Sequence, residues 1–334
     1  MIRRLVSINI IDCLKRFCFV RPIKHMILSK DFIETEEGLV FAVVVSGVEQ
    51  EKVLAFLRYV KQDGQWLKLN TAQANQLLKE RYSSYLHYSK DLDAHLHAVS
   101  IDSISKHHQP RKRLQELIEA DTLDLIEKDL LCLVDLLKQN NVDLSQIGVT
   151  GSILIGAQQP SSDIDLVCYS RATFHECRQI TRQLIKENKL QELHEQDWQD
   201  SYDRRSCDLS YTEYVWHESR KYNKAIINGR KFDLNFISDS VSLEPISYEK
   251  MGNVVLQCRV IDDEYAFDYP AVFKIDHHEL DAVVCFTATY TGQAVKGELI
   301  EVSGQIEQSS MGIKRIVVGS SREASGEYIK VICA

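Results

Sequence analysis

No stretch of this chain approaches the roughly 18 consecutive apolar residues that a membrane-spanning helix needs, so no segment of it reads as transmembrane. The opening MIRRLVSINIIDCLKRFCFV is basic and apolar, yet Asp12, Lys15 and Arg16 interrupt any signal-peptide core and no small-residue cleavage site follows. Residues 1–25 read either as a short docking helix or as an over-extended start ahead of Met26. CxxC pairs are missing as well. The nine cysteines are odd in number and scattered singly, which argues against a zinc knuckle and a disulfide scaffold and for a reducing cytoplasm. Positive charge is also short. With a net charge of -8, the surface as a whole does not advertise nucleic-acid binding, and any polynucleotide contact must rest on local basic patches. Internal repeats and low-complexity tracts are absent too.

What is present is an ordinary globular composition, 44% hydrophobic and 26% charged, over 334 residues, enough for two or three domains. After Met26, FIETEEGLVFAVVVSG reads as two strands across Glu-Glu-Gly, and VLAFLRYV with QWLKLN as two more across Gln-Asp-Gly. TAQANQLLKERYSSYLHYSKDL has helical spacing with Thr71 as its cap, with Tyr82, Tyr85 and Tyr88 on a core stripe; His95 and His97 read as helical too, two apart and so on different faces, which argues against a shared metal. Ser105–Arg113, polar and interrupted by Pro110, reads as an exposed linker. LQELIEADTLDLIEKDLLCLVDLLKQNN predicts one or two helices ending at Asn140 and Asn141, Gln146–Thr150 a strand, Arg171–Asn188 an amphipathic helix and Ile227–Ser238 a strand. Beyond Met251 come short alternating runs broken by Gly, Asp and Ser, the pattern of a small barrel or sandwich. The expected layout is a strand-rich α+β module over 26–115, a catalytic domain over 116–250 and a β-rich domain over 251–334.

The chemistry concentrates in GSILIGAQQPSSDIDLVCY, residues 151–169. Asp163 and Asp165 are two apart at the head of an apolar run, so on a strand both carboxylates share a face. Like charges so placed are costly unless a cation neutralises them. Mg²⁺, or Mn²⁺ in its stead, prefers such oxygen donors and leaves positions open for phosphates. Upstream, Gly151 lets the backbone approach a phosphate closely, and Ser152 with the amides opening an ILIGA helix can hold one. The plainer reading of each is turn chemistry: a solvated Ser-Ser-Asp turn and a tight Gly-Ser turn with a helix cap.

Gly-Ser, a spacer and Asp-x-Asp on a strand resemble the signature of the DNA polymerase beta-like nucleotidyltransferase superfamily, over roughly residues 121–238. The flanking modules resemble a group of predicted prokaryotic nucleotidyltransferases. The resemblance implies an α+β core with a mixed sheet, and a third carboxylate on a later strand. Asp233 in RKFDLNFI matches best, with Asp208 in SCDLSY as rival. It implies transfer of a nucleoside monophosphate from a Mg²⁺-bound nucleoside triphosphate, ATP among them, to a hydroxyl. Asp163, Asp165 and Asp233 would be catalytic metal ligands, and Gly151 and Ser152 would bind nucleotide. The acceptor reads as RNA or DNA, with a small molecule or a protein hydroxyl as alternatives. A non-catalytic module of the same fold that senses a nucleotide or nucleic acid is the competing reading. The basic residues Arg204, Arg205, Arg220, Lys221, Lys224, Arg230 and Lys231 between the acids are either a phosphate channel or a solvated face.

Overall fold

The computed structural model describes residues 27–89, 94–237, 248–320 and 324–333; the expectation for residues 1–25 lies outside the described residues. The described chain is mixed α+β, with three sheets and six α-helices. Among the described residues no helix is long and apolar enough to cross a membrane.

The N-terminal sheet is antiparallel throughout: β1 (Phe32–Thr35), β2 (Leu39–Val43), β3 (Lys52–Gln62), β4 (Gln65–Lys68), β5 (Leu86–Ser89), β6 (Ala94–Ser100) and β7 (Ile104–His108). Its order is β5-β6-β3-β2-β1-β7, with β4 on β3. Both expected hairpins form, β1–β2 and β3–β4. Helix α1 (Thr71–Arg81) buries Ala74 and Leu78 against Leu39, Phe41 and Leu57.

Several local expectations give way to tertiary pairing here. Asn70, not Thr71, caps α1: its side chain accepts from Gln73 N at 2.9 Å and Gln73 returns the bond to Asn70 N at 3.0 Å. The helix stops at Arg81 because Leu86–Ser89 pairs with β6 instead. His95 and His97 therefore lie on a strand, where His97 Nδ1 accepts from Leu57 N at 2.9 Å and Nε2 meets Asn75 Oδ1 at 2.8 Å. Tyr82, Tyr85 and Tyr88 form no stripe, since Tyr85 is buried while Tyr88 is exposed on β5. The expected linker at Ser105–Arg113 is the strand β7 followed by helix α2 (Pro110–Ile118). His107 and His108 are held there by Asp31 at 2.7 Å and Glu34 at 2.9 Å. Pro110 sits in the first turn of α2, where its missing N–H costs nothing.

The central sheet holds β8 (Ile147–Thr150), β9 (Ile164–Cys168), β10 (Lys224–Ile227) and β11 (Arg230–Phe236) in the order β10-β11-β9-β8, with β9 and β11 parallel. Around it lie α3 (Leu125–Gln139), α4 (Arg171–Lys186), α5 (Glu195–Arg205) and α6 (Tyr211–Ser219). An Asp124–Glu127 capping box opens α3, whose Leu130, Leu133, Val134 and Leu137 meet Phe174, Cys177 and Leu184 of α4 and the apolar strand residues in one core. Helix α2 presses so close to β8 that a Cβ at Gly148 would lie 2.6 Å from Pro110.

The C-terminal sheet comprises β12 (Tyr248–Tyr265), β13 (Ala271–Asp276), β14 (Ala282–Cys285), β15 (Leu299–Ser309), β16 (Lys314–Val318) and β17 (Tyr328–Cys333). Its order is β12-β13-β14-β16-β15-β17, and a further β12–β15 pairing returns the ladder to its first strand. The pair β14–β16 is parallel; the others are antiparallel. Trp198, Leu209 and Tyr214, from α5 and α6 and the segment between them, complete this core.

Candidate active site

Register places the acids. Asp165 of β9 stands opposite Asp233 of β11, flanked by Thr150 of β8 and Lys224 of β10, so Thr150, Asp165, Asp233 and Lys224 form one row across the central sheet. Neighbouring strands are about 4.8 Å apart, so Asp165 and Asp233 are close like charges. Asp163 precedes β9 by one residue and comes two before Asp165, on the same face by strand alternation. The rival Asp208 lies elsewhere, exposed in the segment before α6, where its carboxylate accepts from Gly326 N at 2.9 Å.

Directly after β8, Gly151 takes φ +68° and lies against Asp165, so that an added Cβ would stand 2.3 Å from Asp165 Oδ2. Only glycine meets both requirements without cost. The helix expected from ILIGA is a single 3₁₀ turn, Ile153–Ile155, ended by Gly156. Ser152 opens it without a side-chain cap, and its carbonyl accepts from Ala157 N at 2.9 Å. A helix dipole therefore adds little here, and any anion would be held by local amides and the Ser152 hydroxyl.

Burial, reinforced by Asp233, pushes the Asp165 carboxyl up to about 6. Burial raises Asp163 too, against the opposing pull of Lys231. The Lys231 ammonium lies 4.0 Å from Asp163 and 3.3 Å from Asp197, so the charge at Asp163 is only partly answered. Among the described residues, no three His, Cys, Asp or Glu side chains converge as they stand on one cation position. The donor chemistry nevertheless fits a hard divalent ion: carboxylate oxygens only, in excess of their counter-charge at Asp165, with no soft ligand among them.

A cavity of about 300 Å³ opens beside the row, lined by Asp163, Asp233, Arg204, Arg205, Lys224 and Lys231. A second, of about 250 Å³, adjoins it and shares Asp163, Asp197 and Lys231. Of the seven basic residues singled out in the sequence, four line this cleft. Lys224 also binds Glu218 and Arg230 also lines the adjoining cavity, and the three outside the first cavity all have partners in the fold. Arg220 binds Glu298 at 2.6 Å, Lys221 binds Glu218 and the Thr289 carbonyl, and Arg230 binds Asp129 at 2.9 Å with the carbonyls of Pro160 and Ser162. Sequence reasoning missed Asp197 and the wall that α5 provides. The signal was available in the His194–Asp197 capping box ahead of EQDWQDSYDRR.

This arrangement defines a class: an α+β protein whose paired strand carboxylates meet a glycine turn at the edge of a basic cleft. Residues 132–232 match the nucleotidyltransferase domain family. An uncharacterized protein of Methanocaldococcus jannaschii is 34% identical over 333 aligned positions, covering 90% of this chain and 98% of that protein. No solved structure matches. The chain belongs to one family with that archaeal protein, and its residues 132–232 form a nucleotidyltransferase domain of the polymerase beta-like superfamily.

Proposed function

We propose that this protein transfers a nucleoside monophosphate from a nucleoside triphosphate to an acceptor hydroxyl, releasing pyrophosphate. The observation that carries the reading is Asp233 in parallel register beside Asp165, with the Gly151 backbone against the Asp165 carboxylate. Asp163, Asp165 and Asp233 would hold the divalent ions. Mg²⁺, when bound, supplies neutralisation of the triphosphate and a more acidic acceptor hydroxyl. The Gly151–Ser152 amides and the Ser152 hydroxyl hold phosphate oxygens. Arg204, Arg205, Lys224 and Lys231 face the remaining negative charge from across the cleft. The acceptor oxygen would bond to the α-phosphorus as the bond to the pyrophosphate oxygen breaks, and Asp233 would take up the hydroxyl proton. ATP is one candidate donor.

The division at 26–115, 116–250 and 251–334 is part of this reading, and the β12–β15 pairing supports a small C-terminal barrel. A nucleic-acid acceptor would enter at the cleft, where Arg204 and Arg205 at the end of α5 face Lys224 and Lys231 of the central sheet.

Label transfer tests this. The protein is incubated with Mg²⁺ or Mn²⁺ and α-labelled nucleoside triphosphates, together with pooled RNA, single-stranded DNA or a protein lysate. Wild type should label one pool, and Asp163→Ala/Asp165→Ala and Asp233→Ala should each fall by about 100-fold or more, the scale of lost charge stabilisation. An Asp233→Ala protein as active as wild type would remove Asp233 from the site. Nucleotide binding with no transfer to these pools or to small hydroxyl compounds would favour the sensing module.

A further inference from the structure

The N-terminal sheet meets the central sheet on both sides of the Gly151–Ser152 turn. Before the turn, Thr150 Oγ1 donates to the Lys30 carbonyl at 2.7 Å. After it, Leu154 is buried among Phe32, Val40 and Tyr59. Tyr59 pairs across β3–β4 with Lys68. Two lysines of the N-terminal module thus flank the turn, Lys30, two residues ahead of β1, on the Thr150 side and Lys68 of β4, the register partner of Tyr59, on the Leu154 side.

Lys30 occupies an expensive place. Its φ is +72°, a left-handed conformation that suits glycine and costs a lysine about 1 kcal/mol or more. Its side chain is half-buried, yet among the described residues its ammonium makes no hydrogen bond or ion pair. Burial draws it below the ordinary lysine range, and the nearby charges of Asp165 and Asp233 oppose that shift. Backbone geometry alone would select glycine here, so the ammonium requires another reason.

We infer that Lys30, assisted by Lys68, forms the second wall of the nucleotide site and binds the triphosphate of the incoming nucleotide. This rests on the nucleotidyltransferase reading above. Phosphates held at the Gly151–Ser152 amides would lie between the central sheet and these two ammoniums. The N-terminal sheet is then part of the site and more than a brace for it.

The test measures binding of inorganic triphosphate and of ATP to the full-length protein by calorimetry, with thermal midpoints in parallel. Lys30→Gly is the informative variant, because glycine suits φ +72° and the fold should survive. It should weaken binding of both ligands by about tenfold or more, the value of one charge-assisted contact. Lys30→Arg should retain most of the affinity. Lys68→Met, at an exposed position, should lose severalfold, while Lys79→Met in the last turn of α1 should bind as wild type does. Wild-type binding matched by Lys30→Gly and Lys68→Met would overturn the inference and leave the nucleotidyltransferase reading standing. A Lys30→Gly protein that melts earlier but binds normally would make Lys30 a counter-ion for the acids, again overturning it. Wild type that binds neither ligand, with or without Mg²⁺, would overturn the nucleotide reading itself and this inference with it.

Discussion

At Gly151, two independent demands fall on one residue, and a neighbour allows them to be separated. Gly151 and Gly156 both have φ +68°, but an added Cβ meets Asp165 Oδ2 at 2.3 Å in the first and nothing within 4 Å in the second. Each alanine substitution costs about 1–2 kcal/mol of backbone strain. Gly151→Ala must also displace a carboxylate of the site, and a displacement near 1 Å costs on the order of 100-fold in rate. We therefore expect similar losses in thermal midpoint from the two variants, but a loss of nucleotidyl transfer of about 100-fold or more in Gly151→Ala only. Equal activity in the two would mean that Asp165 does not depend on the glycine. The same residues mark how far the sequence could be read. Asp163 and Asp165 were legible because strand alternation is local, and Gly151 because it follows an apolar run. Asp233 emerged only through resemblance, since nothing local announces which distant strand will align beside β9. Lys30 gave no signal, because its significance comes from a left-handed backbone and a contact to Thr150, 120 residues away.

Among the elements, α6 and β10 share a buried ion cluster that ends beside the carboxylate row. Glu218 is buried at the end of α6 and binds both Lys221 and Lys224, and Lys224 is the register partner of Asp233. Burial alone would raise the Glu218 carboxyl, but the two ammoniums outweigh it and hold the group at about 2. Glu218→Gln keeps the shape and strands two buried cations, which should cost about 3–5 kcal/mol in urea unfolding. Since the folded pKa lies below the ordinary 4.5, this stabilisation is complete above about pH 4.5 and is lost as pH falls toward 2. Wild type and variant should therefore converge in strong acid; a constant gap down to pH 2 would mean the cluster is not what the substitution removes. Elements stabilised by neighbours in sequence, such as the β1–β2 and β3–β4 hairpins, were readable in advance. Strands β5 and β7 were not, because Tyr88 pairs with His95 and His107 with Ile33, and long-range partners decide what short polar segments become.

For the whole molecule, the C-terminal sheet is tied to the central one through polar contacts at the C-terminal end of α6 and just beyond it. Arg220 reaches Glu298, Lys221 reaches the Thr289 carbonyl, and His217 Nε2 accepts from Val331 N at 3.0 Å. Because Nε2 accepts, the ring proton is on Nδ1, which donates to the Glu213 carbonyl at 2.7 Å. A protonated imidazole would lose the acceptor that holds β17. Burial accordingly draws His217 down to about 4 from an ordinary 6.5. As pH falls below 6.5 the unfolded chain takes up this proton first, so stability should decline from about pH 6.5 to pH 4, by about 3 kcal/mol at most, and then level off for this group. The window lies above that of Glu218, so the two contributions separate in a pH titration of the urea midpoint. His217→Gln should be less stable than wild type at pH 7, where Val331 N loses its imidazole acceptor, yet decline less between pH 6.5 and pH 4. The difference between the two curves isolates His217 from His108 and His175, whose pKa values burial also lowers but whose positions are untouched by the substitution. Parallel curves would mean that His217 titrates normally, and that β17 is held to α6 by apolar packing and the Lys330–Glu213 ion pair.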